Sequence, residues 1–200
     1  MSVTRLVIAS RNPHKIHEIA RILPPGYEVA SLAEYPSAPE VEESGRTFAD
    51  NARLKALGIS AVVPGLVLSD DSGLCVDTLS GYPGVLSARY AGEHGDDAAN
   101  NRKLLAELRA LPGQAPYRAR FVCALCLAEG GRELACFEGK VEGEITLAPR
   151  GERGFGYDPL FVPDGFSCTF AELTEEEKNR VSHRADALRQ LADFLANRVE

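Results

Sequence analysis

The chain has 200 residues, enough for one full domain or two lobes sharing a core, and its 44% hydrophobic and 26% charged residues exclude disordered and collagen-like classes. Lys and Arg total 22 against 29 Asp and Glu, a formal net charge of −7. That excludes a broad nucleic-acid or anionic-membrane surface, because binding to phosphate backbones is driven by Lys and Arg.

In chain order, Arg5 to Ala9 reads as a strand, and Ser10-Arg11-Asn12-Pro13 follows it. Asn12 is a good N-cap and Pro13 a good first helical residue, so a helix begins there. Ile16, Ile19, Ala20 and Leu23 recur at helical spacing until Pro24-Pro25-Gly26 ends the element. Tyr27 to Leu32 is a second strand. Thr47 and Asp50 form a capping box for a helix reaching about Ile59. Leu66-Val67-Leu68 is a buried strand expected to finish at Ser69-Asp70-Asp71-Ser72-Gly73, since Asp-Ser-Gly is common turn chemistry. Asp96 or Asp97 caps a helix whose stripe is Leu104, Leu105, Leu108 and Leu111, stopped by Pro112. Arg118 to Ala128 and Glu133 to Ile145 alternate like strands joined at Gly130-Gly131 as a hairpin. Thr174 with Glu177 is another capping box, and Ser182 caps a last helix carrying Leu188, Leu191 and Leu195. No repeat or linker breaks the chain, so residues 1–200 are expected to form one domain of α/β class with a mixed sheet.

No run approaches the roughly 20 apolar residues of a membrane helix. Leu6 to Ala9 is too short for a secretory core, and five cysteines suggest no disulfide framework, so a cytoplasmic chain with reduced thiols is expected.

Four segments carry candidate chemistry. Ser10, Arg11 and Asn12 before a helix start, with Pro13, His14 and Lys15 in its first turn, suit a phosphate cradle of free N–H groups and cationic side chains. Asp70-Asp71 at the end of a buried strand, with Glu42-Glu43 elsewhere, could hold Mg²⁺ and supply a general base. Gly154-Phe155-Gly156-Tyr157-Asp158 is a glycine-flanked loop whose aromatic face can stack on a purine. Lys178, His183 and Arg184 offer donors toward a keto oxygen or a phosphate. By contrast, Cys123 and Cys126 are three apart in a strand and face opposite ways, so this C-x-x-C is read as core packing rather than a metal or redox site.

These segments, taken in order, resemble the inosine/xanthosine triphosphate pyrophosphatases, the Ham1-type noncanonical purine nucleoside triphosphatases. The resemblance rests on Ser10-Arg11-Asn12-Pro13-His14-Lys15 with Glu18, and on Glu42-Glu43-Ser44-Gly45-Arg46-Thr47-Phe48 with Asn51-Ala52 and Lys55-Ala56. It continues through Asp70-Asp71-Ser72-Gly73-Leu74, Gly81 to Tyr90, Gly154 to Pro159, Glu172-Leu173, Glu177-Lys178-Asn179 and Ser182-His183-Arg184. Arg11 and His14 depart from the family pattern, placing extra bulk and charge at the phosphate turn.

The resemblance implies two lobes on a long mixed sheet with the site in the cleft between them, and a homodimer. It implies hydrolysis of ITP, dITP and XTP to monophosphate and pyrophosphate with Mg²⁺ on Glu42 and Asp71. Asp71 is then the proton acceptor and Lys15 grips phosphate. Ser10, Arg11, Asn12, Pro13, His14, Ser72, Phe155, Gly156, Tyr157, Asp158, Lys178, His183 and Arg184 complete the substrate contacts. Lys178 and Arg184 would donate to the 6-keto group, so that adenine leaves a buried cation without its partner. A nucleotide sensor without turnover, and a pyrophosphatase for modified pyrimidine triphosphates, are the alternatives.

Overall fold

The computed structural model describes residues 4–111 and 116–197. The elements run β1 (Thr4–Ile8), α1 (Pro13–Ile22), β2 (Tyr27–Ser31), α2 (Phe48–Ser60), β3 (Leu66–Val76), α3 (Asp97–Ala110), β4 (Tyr117–Glu129), β5 (Arg132–Ile145), β6 (Phe161–Pro163), α4 (Glu175–Val181) and α5 (His183–Ala196). Among the described residues they form one six-stranded sheet in the order β2-β1-β3-β4-β5-β6. β1 pairs parallel with β2 and β3, and β5 pairs antiparallel with β6, so the sheet is mixed, as expected. Gly130 and Gly131 both have positive φ (58° and 75°), the conformation that a two-residue hairpin loop requires.

The caps at Asn12, Thr47 and Thr174 form as the sequence predicts. Asn12 Oδ1 accepts from the N–H groups of His14 and Lys15, and the capping boxes at Thr47/Asp50 and Thr174/Glu177 are complete. Asp96, rather than Asp97, caps α3. Pro112, expected to stop that helix, lies outside the described residues.

One element differs in kind. β3 does not end at the acid pair but continues through Asp70-Asp71-Ser72-Gly73 to Val76. It pairs with β1 only as far as Leu68, opposite Ile8, and Asp70-Asp71 are internal to the strand. The turn chemistry of Asp-Ser-Gly is overridden by sheet pairing, since β3 is hydrogen-bonded to β4, and Gly73 leaves the room its neighbour needs. A Cβ there would lie 2.2 Å from Ser87 Oγ, the group that accepts from Leu74 N–H.

The chain divides into two compact units, one of residues 1–71, 123–139 and 184–200, the other of residues 72–122 and 140–183. In the first, strand alternation sorts the core onto two faces. Leu6, Ile8 and Leu68 pack with Ile19 of α1 and Leu188, Leu191 and Leu195 of α5. Val7, Ala9 and Val67 pack with Ile59 of α2 on the other face. In the second unit, Leu104, Leu105 and Leu108 of α3 join an aromatic core of Phe121, Phe161 and Phe170. No helix among the described residues is long and apolar enough to cross a membrane.

The Thr47 cap holds α2 at the N-terminal end from which its polar face is presented. Thr47→Ala should lower stability by about 1 kcal/mol, read as a shift in the urea midpoint at constant slope.

Candidate active site

The alternation that sorts the core also separates the two adjacent acids. Asp70 follows Leu68 onto the face of α1 and α5, and Asp71 follows Val67 onto the face of α2. Their surroundings then diverge.

Asp70 is fully committed. Lys15 Nζ lies 2.6 Å from its Oδ1, while Arg184 Nε at 2.8 Å and the Cys123 thiol at 3.2 Å both donate to Oδ2. Arg184 Nη1 donates in turn to Glu18. Burial alone would raise Asp70, but the charges of Arg184 and Lys15 outweigh it and hold this carboxyl well below its ordinary range. Burial likewise opposes the charge on Arg184, and Asp70 and Glu18 more than restore it.

Asp71 faces a different set. Lys55 Nζ sits 3.4 Å from its Oδ1, 2.8 Å from Glu43 Oε1 and 2.8 Å from the Asp70 carbonyl oxygen. Asp71 Oδ2 is buried without a hydrogen-bond partner among the described residues, and so is the Nδ2 of Asn51. Burial raises the Asp71 carboxyl above its ordinary value despite Lys55 and Lys15. Lys55 keeps its proton because Asp71 and Glu43 together overcome the burial that opposes it. One acid is thus a locked anion, and its neighbour is a more basic carboxylate with an open oxygen. That asymmetry assigns different roles to chemically identical groups.

The expected phosphate turn is partly corrected. The N–H of Asn12 donates to Ser10 Oγ, and those of His14 and Lys15 to Asn12 Oδ1. Pro13 has none to give. The helix start is therefore closed by its own cap rather than presenting free N–H groups, and Arg11, His14 and Lys15 contribute side chains. Arg11, Pro13 and His14 are exposed, and Ser10 and Asn12 are half-buried.

Asp71 with an orphaned oxygen, near the Glu43 carboxylate, is an all-oxygen donor set suited to a hard divalent cation. Glu42 is exposed, whereas its neighbour Glu43 is the residue tied to Asp71 through Lys55. Lys55 and Asn51 had no role assigned from the sequence. Their i, i+4 spacing on a capped helix put them on one face and was the available signal.

In the second unit, Lys178 Nζ lies 2.6 Å from Asp158 Oδ2, 4.8 Å from the centre of the Phe155 ring and 5.7 Å from that of Phe170. The same Asp158 oxygen accepts from Phe155 N–H at 2.9 Å. A Cβ on Gly154 would lie 2.0 Å from it, so only glycine fits. Asp97 accepts from Gly156 N–H, and Asn101 Nδ2 donates to the Gly156 carbonyl, so α3 holds the loop at its middle. Tyr157 is buried with its hydroxyl on the Ser87 carbonyl, which makes it a support for this loop rather than an exposed contact. His183 stacks on Phe121, with ring centres 4.9 Å apart and planes 11° from parallel. Ser72 is half-buried next to Asp71 in sequence.

Arg184 is the main revision. It was expected on the substrate, but it is 1% exposed with two nitrogens on Asp70 and Glu18. The guanidinium fork fits two carboxylates from different elements, which the sequence could not reveal.

The sequence and the fold have counterparts among known proteins. The chain matches the Ham1 family model over residues 6–194 and belongs to that family. It is 50% identical over 190 residues to a dITP/XTP pyrophosphatase of Bacillus subtilis (strain 168), covering 94% of this chain and 96% of that relative. Two solved structures share the fold. A Staphylococcus aureus Ham1 protein has a TM-score of 0.85 at 41% identity, and a HAM1 protein from Coxiella burnetii has 0.87 at 38%; each match covers 97% of this chain and 99% of the other.

The two acids should respond oppositely to neutralisation. Asp70→Asn removes the partner of a buried guanidinium and should cost about 3–5 kcal/mol. A depressed carboxyl contributes stability above its unfolded value of 3.8 that is lost as pH falls through the lower folded value, so this variant should also lose that acid-side slope. For Asp71 the sign reverses. Its raised value makes ionisation a cost that grows as pH rises from 3.8 through the folded value and is complete above it. Asp71→Asn should therefore be as stable as the parent, or more so, at neutral pH. Urea midpoints measured across pH test both.

Proposed function

We propose that this chain hydrolyses noncanonical purine nucleoside triphosphates, dITP/ITP and XTP/dXTP, to the monophosphate and pyrophosphate. The observation that carries the reading is the split acid pair: one carboxyl locked by Lys15 and Arg184, its neighbour raised, buried and open at one oxygen. The names of relatives at about half identity over nearly the whole chain point the same way.

Asp71 accepts a proton from the attacking water at the α-phosphorus, directly or through a water on the cation. Lys55, held by Glu43 and the Asp70 carbonyl, fixes the Asp71 side chain for that task. Lys15 has three donors and spends one on Asp70, which leaves capacity for phosphate oxygens. Ser10, Arg11, Asn12 and His14 border the same turn. Asp71 with Glu43 or Glu42 would hold a divalent cation, Mg²⁺ in this reading, which when bound neutralises phosphate charge.

The base falls to the loop Phe155-Gly156-Tyr157-Asp158 and to Lys178 and His183. Phe155 provides the stacking face, and Lys178 supplies an oriented donor, since Asp158 and two aromatic rings fix its ammonium. Hypoxanthine and xanthine present a keto acceptor at position 6. Adenine presents an amino donor and would leave the ammonium without that bond. We further propose that the chain acts in the cytoplasm as a homodimer. The exposed Tyr82 beside Leu79 and Leu86 offers an apolar patch for association, to be checked by sedimentation.

Incubation with dITP, XTP, dATP and dGTP, with and without Mg²⁺, should release pyrophosphate chiefly from dITP and XTP and only with metal. Orthophosphate release, or tight dITP binding without turnover, would overturn the reading. Asp71→Asn should lower kcat on the order of 10²–10⁴-fold. Lys178→Ala should reduce the dITP-over-dATP ratio of kcat/KM by about 10- to 100-fold; an unchanged ratio would remove Lys178 from base selection.

A further inference from the structure

Away from the acid pair, the β4–β5 hairpin gathers three ligating side chains that the proposed reaction does not use. Cys126 of β4 and Glu133 and Cys136 of β5 bring two Sγ atoms and a carboxylate oxygen within 4.8 Å of one another. Cys126 is buried, and Cys136 and Glu133 are exposed, so the group is open on one side. The alternation of β4 turns Cys123 away, onto Asp70, and leaves Cys126 to face its partners on β5. The sequence reading dismissed Cys126 for want of a partner at C-x-x-C spacing; its partner lies across the hairpin.

We propose that Cys126, Glu133 and Cys136 form a binding site for a thiophilic divalent cation of the Zn²⁺ type, with water as the fourth ligand. Two thiolates select a borderline-soft ion and disfavour Mg²⁺. Zn–S bonds of about 2.3 Å and Zn–O bonds of about 2.0–2.2 Å bring tetrahedral ligand atoms to roughly 3.3–3.8 Å apart, a modest closure of the present arrangement. Arg53 of α2 supports the assignment. It donates through Nε and Nη2 to both oxygens of Glu133 and fixes the carboxylate's orientation, while each oxygen keeps a further lone pair for a cation. Its positive charge also balances the single negative charge left when two thiolates and a carboxylate surround a divalent ion.

Cysteines ligate as thiolates, so binding releases protons. Affinity therefore rises with pH. The bound ion would clip β4 to β5 beside their turn and tie the hairpin to α2 through Arg53.

The test uses the full reduced chain with Co²⁺ as spectroscopic probe and excess Mg²⁺ to occupy oxygen-donor sites. Thiolate-to-cobalt charge-transfer absorption with tetrahedral d–d bands should appear, saturate at one ion per chain and be bleached by Zn²⁺. It should vanish in Cys136→Ser, an exposed position where folding is safe, weaken in Glu133→Gln and persist in Cys75→Ser. Absent charge-transfer absorption, an octahedral spectrum or a signal surviving Cys136→Ser would overturn the proposal. So would a reduced chain that binds no Co²⁺ but forms a Cys126–Cys136 disulfide in air.

Discussion

Everything in the first unit's chemistry depends on β3 continuing as a strand through Asp70 and Asp71. In a turn, two adjacent aspartates would share one solvated environment and similar acidity. In an extended strand they must point to opposite faces. One meets the cations of α1 and α5, the other the Lys55 ammonium of α2. The backbone period of two thus converts a repeated residue into an anchor and a carboxyl of raised proton affinity. No charge of unusual strength is required, only different neighbours.

The anchor is costly. Asp70, Arg184, Glu18 and Lys15 are all largely withdrawn from water, and such networks often stabilise no more than well-packed apolar side chains would. Their value lies in position. Arg184 fixes Glu18 on α1 and Asp70 on β3 at once, so the helix carrying Lys15 cannot slide against the strand carrying Asp71 without breaking a buried ion pair. Asp70 in turn passes its carbonyl to Lys55, which steadies Asp71. Order at Asp71 is built from an ion-pair network on the opposite face of the strand.

The legible parts of this structure were those set by local chemistry. Asn12-Pro13, the two capping boxes and Gly130-Gly131 each satisfy backbone groups within a few residues, so short sequence windows contain the whole cause. The misread parts are set by distant partners. Asp70-Asp71-Ser72-Gly73 looks like a turn until β4 and Ser87 are present to hold it extended. Arg184 offers the same donors to a nucleotide or to two acids, and only the fold brings Glu18, 166 residues earlier, to its Nη1. Cys136 lies ten residues from Cys126 across a tight turn, a spacing no linear motif records. Residue types marked the candidates; pairing across elements decided their roles.

The same logic of distant partners fixes Lys178 in the second unit. A lysine free to swing would meet a keto oxygen and a phosphate with equal ease, because its ammonium is a flexible point charge. Lys178 is not free: Asp158, itself fixed by the Phe155 N–H and by the space that Gly154 leaves, draws it in against two aromatic faces. Its charge is already satisfied, so added negative charge gains little there, while a correctly placed neutral acceptor gains a directed hydrogen bond. A cation compensated in this way discriminates by geometry rather than by attraction.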